Sequence, residues 1–184
     1  WHFSISGLPA ENTPLTSSLE NENNSEILLA TLAENHQNPP SLYALDLALD
    51  GYEKLENELK KPILTVIDFT LPSTERRLWI IDLDKEEILL NTVVSHGRNS
   101  GNLMAEKFSN RPESYQSSLG FYKTAETYLG KHGYSLRLDG LEKGINDQAR
   151  NRAIVIHGAD YAREEVAKTA GRLGRSLGCP AVPT

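Results

Sequence analysis

Cys179 is the only cysteine of the chain, and it stands in Gly174-Arg175-Ser176-Leu177-Gly178-Cys179-Pro180-Ala181-Val182. His157-Gly158 lies 22 residues upstream, at the end of the apolar run Ala153-Ile154-Val155-Ile156. These residue types are the parts of a cysteine acyl-transfer site. Cys179 supplies a nucleophile and His157 a base, and backbone N–H groups near the nucleophile could hold an oxyanion.

A lone cysteine also fits a reading as a small buried hydrophobe. Its neighbours argue for a turn instead, since Gly178 precedes it and Pro180 follows. Gly178 also lets bare backbone approach a ligand closely. An unperturbed thiol, with a pKa near ~8.5, is only about a tenth thiolate at pH ~7.5. A nucleophile therefore needs an adjacent histidine or cation, and His157 and Arg175 are the nearest candidates by motif. His157 follows four apolar residues, which equally suits a core histidine.

The remaining histidines divide into two groups. His96, in Val93-Val94-Ser95-His96-Gly97-Arg98, repeats the strand-end His-Gly pattern and is expected to face substrate or to support the site. His132 reads as a loop residue, and His2 and His36 as uninvolved. His96, His157 and Cys179 with Asp82 or Asp160 would suit zinc by residue type. No tight ligand spacing accompanies them, so no metal is expected. Gly97-Arg98-Asn99-Ser100-Gly101 lacks the Lys-Ser/Thr of a phosphate-binding loop.

Short β-branched runs must position these groups. Ile63 to Phe69, Leu78 to Leu83 and Ile88 to Val94 read as strands, with Asp84-Lys85-Glu86-Glu87 as a hairpin turn. Gly120 to Thr124, Ser135 to Leu138 and Ala153 to His157 read as further strands, and Tyr161 to Ala170 as a helix stopped by Gly171. Upstream, Ser25 is expected to cap a short helix. A second helix runs from Ser41 through Leu59 and is stopped at Pro62 after Lys60-Lys61. The expected division is a flexible arm over 1–24, a helical accessory segment over 25–62 and a mainly β catalytic part over 63–184. The formal net charge of −6, with no offsetting Lys/Arg cluster, argues against a nucleic-acid partner. No apolar stretch approaches the ~20 residues of a membrane span. Trp1-His2-Phe3 opens without a signal peptide's charged and apolar regions.

The chain resembles the murein L,D-transpeptidase catalytic domain family (YkuD-like), in the branch with a Gly-Arg-Ser-x-Gly-Cys-Pro-Ala-Val segment. The resemblance spans roughly Ser41 to Thr184. It is carried by Asp68-Phe69, Pro72-Ser73-Thr74, His96-Gly97-Arg98-Asn99-Ser100-Gly101, Phe108-Ser109-Asn110, Ser117-Ser118-Leu119-Gly120-Phe121-Tyr122, Gly130-Lys131-His132-Gly133, Ser135-Leu136-Arg137-Leu138, Ile156-His157-Gly158-Ala159 and the cysteine segment, in that order. It implies a β-sandwich-like catalytic fold preceded by a small helical region. It also implies that Cys179 attacks the carbonyl of the L-centre of a diamino acid in a peptidoglycan tetrapeptide stem. D-alanine leaves, and the thioester is resolved by an amine on peptidoglycan or lipoprotein, or by water. His157 would be the general base, Gly178 part of the oxyanion hole, and Ser176 a shaper of the turn. No cofactor is implied, and the location would be periplasm or cell envelope.

Three departures from the broader family stand out. Leu177 replaces the histidine of a Ser-His-Gly-Cys motif. Pro180-Ala181-Val182 replaces a segment that carries an arginine two residues after the cysteine. Arg175 or Arg98 is expected to take over that arginine's place near a substrate carboxylate. The resemblance also implies a helix and a closing strand after Thr184. Two other classes compete with this reading. A cell-wall binding module without catalysis would not need both Cys179 and His157. Papain-type and NlpC/P60 hydrolases place the cysteine before the histidine, the reverse of the order here.

Overall fold

A computed structural model of the chain describes residues 2–5, 15–131 and 133–184, with side chains considered from residue 24 onward. His132 and residues 6–14 lie outside the described residues. Among the described residues eight strands form one sheet in the order β4-β3-β2-β1-β5-β6-β7-β8. They are β1 (His2–Ile5), β2 (Ile63–Asp68), β3 (Leu78–Asp82), β4 (Glu87–Thr92), β5 (Gly120–Gly130), β6 (Gly133–Gly140), β7 (Val155–Gly158) and β8 (Ala181–Val182). Among the described residues three α-helices accompany them: α1 (Leu15–Asn35), α2 (Leu42–Glu53) and α3 (Glu164–Ala170). The fold is mainly β with accessory helices, the class implied by the sequence.

The N-terminal stretch differs from the expected lead-in. His2–Ile5 lies in the sheet, parallel to β2 and antiparallel to β5, and α1 begins at Leu15. Ser25 therefore sits inside a helix and not at its start. It is fully buried, and its hydroxyl donates to Asp46 of α2 at 2.8 Å. The cap falls instead at Ser41, whose side chain accepts the Ala44 N–H at 3.2 Å and opens α2.

Leu28 and Leu32 of α1 and Leu45 of α2 bury against Leu64 of β2 and Trp79 and Ile81 of β3. The Trp79 indole N–H donates to the Asn38 carbonyl at 2.7 Å, which fixes the link between the helices. Helix α2 is shorter than its apolar spacing suggested. It ends at Glu53, and a 3₁₀ turn over Glu56–Glu58 carries Leu55 and Leu59 onto the same core.

The hairpin between β3 and β4 forms where expected. The Asp82 carboxylate accepts the N–H groups of Asp84 and Lys85, both at 3.1 Å. Beyond β4 the chain crosses to the other edge of the sheet, where Ser95 bridges Ala181 of β8. The Ser95 N–H donates to the Ala181 carbonyl at 2.8 Å. The two sheet edges thus meet, and the sheet curls around its interior.

Candidate active site

Strands β7 and β8 run parallel, with His157 in register with Ala181. Cys179, two residues before Ala181, falls beside Val155. The thiol donates to the Ala153 carbonyl at 3.6 Å, and the Val155 N–H favours the ionised sulfur. Two residues of strand span about 7 Å, so the register sets nucleophile and base one such step apart on neighbouring strands.

His157 is 5% exposed. Its Nδ1 lies 2.9 Å from the Gly158 carbonyl. A carbonyl only accepts, so Nδ1 carries a hydrogen, and Nε2 is the nitrogen that a general-base role would use. A groove of about 200 Å³ opens beside this ring, lined among others by Thr127, Tyr134, Ser135 and Val182. A larger cleft of about 370 Å³, around Arg76 and Glu164, lies elsewhere and contains neither Cys179 nor His157.

Ser176 shapes the cysteine turn. It is 4% exposed. Its hydroxyl donates to the Cys179 carbonyl at 2.6 Å and accepts the Gly178 N–H at 3.0 Å. The Gly178 N–H is therefore consumed inside the turn, which removes it from the expected oxyanion hole. Among the described residues the Cys179 N–H has no acceptor. Gly178 has φ +126°, and a Cβ there would lie 2.8 Å from the Gln116 carbonyl. Glycine is required on both counts. The Ser117 hydroxyl donates to the Gly178 carbonyl at 3.1 Å and accepts the Gly97 N–H at 3.0 Å.

His96 lies in the interior, under the cysteine segment. It is 1% exposed. Arg77, itself buried, donates to its Nδ1 at 2.8 Å, and its Nε2 lies 3.3 Å from the Gly101 carbonyl. Burial, followed by the Arg77 cation, pushes the His96 pKa down to about 4. His96 is thus a neutral strut under the loop 97–101, whose backbone holds the cysteine segment: Ser176 N–H donates to His96 and Arg98 N–H to Ser176.

Arg175 donates through Nη1 to the carbonyls of Arg98 and Gly101, both at 3.2 Å. Arg98 is exposed and stacks over Tyr115 at 4.1 Å. Arg152, unremarked in the sequence, comes against the cysteine turn. A Cβ at Gly178 would lie 3.2 Å from an Arg152 guanidinium nitrogen. Arg152 and Cys179 influence one another's ionisation. Burial raises the thiol pKa, and the Val155 N–H and Arg152 work against that rise. The Tyr161 phenol also senses Cys179, and burial and that charge hold its pKa up. Among the described residues no group of three or more His, Cys, Asp or Glu side chains gathers as a metal site.

Residues 36–184 match the family model of the L,D-transpeptidase catalytic domain. The chain belongs to the L,D-transpeptidase catalytic domain family. Searches of curated proteins and of solved structures return no match. Membership in the L,D-transpeptidase family supports a cell-wall transpeptidase or carboxypeptidase role with peptidoglycan as the partner class. No helix among the described residues is long and apolar enough to cross a membrane.

Proposed function

We propose that this L,D-transpeptidase domain forms a thioester on Cys179 from a peptidoglycan tetrapeptide stem and passes the acyl group to an amine. The observation that carries the reading is the pairing of β7 with β8. It supports the reading by bringing the cysteine segment onto the strand next to His157, whose Nδ1 is engaged by a carbonyl.

In the first half-reaction His157 Nε2 takes the thiol proton. The sulfur bonds to the carbonyl carbon at the L-centre of the diamino acid, and the Cys179 N–H receives the oxyanion. The carbon–nitrogen bond to D-alanine breaks, and His157 returns the proton to the leaving amine. In the second half-reaction an acceptor amine bonds to the same carbon, loses a proton to His157 and releases the thiolate. Water in place of the amine gives a tripeptide, the L,D-carboxypeptidase outcome. Arg98 and Arg175 are assigned to a stem-peptide carboxylate, since both border the cysteine segment. The substrate places the protein in the periplasm or cell envelope.

Incubating disaccharide-tetrapeptide with the protein, with Cys179→Ala and with His157→Gln, followed by mass spectrometry, tests the reading. Loss of D-alanine with new cross-linked dimers, absent in both variants, is the expected result. Tripeptide without dimers assigns the carboxypeptidase outcome. Undiminished turnover by Cys179→Ala would overturn the thioester.

A further inference from the structure

Arg152 stands at the entrance to β7, and its guanidinium is spent on neutral groups. One terminal nitrogen donates to the Ser109 carbonyl and the Ser118 hydroxyl, both at 2.6 Å. The other donates to the Gln116 carbonyl at 2.5 Å and the Ser114 hydroxyl at 3.2 Å. Among the described residues it forms no ion pair with a carboxylate. A half-buried cation without a counterion is costly. The guanidinium is held by the loop 109–118 and pressed against Gly178, since the position of a Gly178 Cβ is 3.2 Å from Nη2. The same Gln116 carbonyl that accepts from Nη2 lies 2.8 Å from that position.

We propose that Arg152 is a positioning residue whose uncompensated charge, fixed by the loop 109–118 against the Gly178–Cys179 turn, serves as the counterion of the Cys179 thiolate. This rests on the reading of Cys179 as nucleophile. When the S–H bond gives its proton to His157, a negative charge appears where Arg152 has only dipoles to face. The mutual influence of the two groups on ionisation runs in the direction this requires, each favouring the charged form of the other. The same cation persists through release of the thiolate in the second half-reaction. It takes the place expected of Arg175 at the nucleophile, and reaches it from the other flank of the histidine segment.

The test is the pH dependence of iodoacetamide alkylation of Cys179 in the intact chain, followed by mass spectrometry, for the protein, Arg152→Gln and Arg152→Lys. Loss of the counterion should raise the midpoint by about one unit in Arg152→Gln, which slows alkylation about tenfold at neutral pH. Arg152→Lys should recover most of that shift. A purely structural arginine predicts the opposite sign, because a loosened loop wets the thiol and lowers its midpoint toward the ordinary ~8.5. An unmoved or lowered midpoint in Arg152→Gln therefore overturns the proposal. Where Arg152→Gln does not fold, Arg152→His replaces it, since its ring is neutral above pH ~7 and still offers a donor. The readout needs no substrate, so it is independent of the Cys179→Ala turnover assay. An inactive Cys179→Ala with an unmoved midpoint sinks the counterion alone, and an active Cys179→Ala sinks the nucleophile.

Discussion

The Ser176 hydroxyl donates to the Cys179 carbonyl at 2.6 Å across a three-residue turn. The same oxygen receives the Gly178 N–H at 3.0 Å. One side chain therefore satisfies two main-chain groups of the cysteine turn, the Gly178 N–H and the Cys179 carbonyl.

Replacing Ser176 by alanine leaves the buried Gly178 N–H without its acceptor. A buried unsatisfied donor costs about 1–3 kcal/mol. Ser176→Ala should lower the melting temperature and reduce kcat at least tenfold, while Ser176→Thr, which keeps the hydroxyl, retains most of both. Thermal melts and turnover of tetrapeptide measure the two effects. Equal losses in Ala and Thr variants would show that the hydroxyl is not what matters.

Gly178→Ala meets two obstacles at once. The backbone stands at φ +126°, and the new methyl carbon would lie 2.8 Å from the Gln116 carbonyl oxygen. Strained backbone of this kind costs about 1–3 kcal/mol. The turn should relax by moving Cys179, so activity falls more steeply than stability. Turnover and urea unfolding of one preparation give that comparison, and a folded, fully active variant would refute it.

His96 links stability to acid. Its pKa in the fold is about 4, below the ordinary ~6.5. The fold favours the neutral ring, so this contribution is full above pH ~6.5 and is lost as pH falls through about 4. His96→Gln offers Arg77 an acceptor and Gly101 a donor without a titrating proton. Its urea midpoint should change less between pH 7 and pH 4.5 than that of the parent. Parallel slopes would mean that other groups set the acid sensitivity.

Gly51 of α2 sits under the Phe121 ring, and a Cβ there would lie 1.9 Å from a ring carbon. Glycine to alanine in a helix normally gains up to ~1 kcal/mol. Overpacking costs about 1–3 kcal/mol, so the clash wins and Gly51→Ala should be destabilised. Pairing it with Phe121→Leu should recover part of the loss in denaturant unfolding. A stabilised single variant would show that the ring moves aside freely.

The strands β2 to β4 were legible because each is a short β-branched run bounded by turn residues, such as Pro62 before Ile63 and Asp84-Lys85 after Asp82. The strand ending at His157 was legible as an apolar run before a His-Gly pair, and the cysteine turn from Gly178 and Pro180, whereas the pairing of the two through Ala181–Val182 was not. Arg152 was not, because its acceptors Ser109 and Gln116 lie 43 and 36 residues away and are main-chain carbonyls. No local pattern marks an arginine that binds such groups. The sequence left His96 between facing substrate and supporting the site, because its His-Gly signature matches that of His157. Only the buried Arg77 and Phe69 around it make it a strut. The strand at His2–Ile5 has its partners in β2 and β5, so four residues of local sequence could not reveal it.

The cysteine segment hangs from residues 95–98, through Ser95, His96 and Arg98. The Ser95 hydroxyl reaches the Gly174 carbonyl at a separation of 79 residues. Such distant pairing is closed slowly, since long loops must be ordered before their contacts repay them. The nucleophile therefore acquires its surroundings near the end of folding, when the two sheet edges join. Its thiol is a natural clock for that event: a reagent pulse during refolding should label Cys179 rapidly until the edges meet and slowly afterwards.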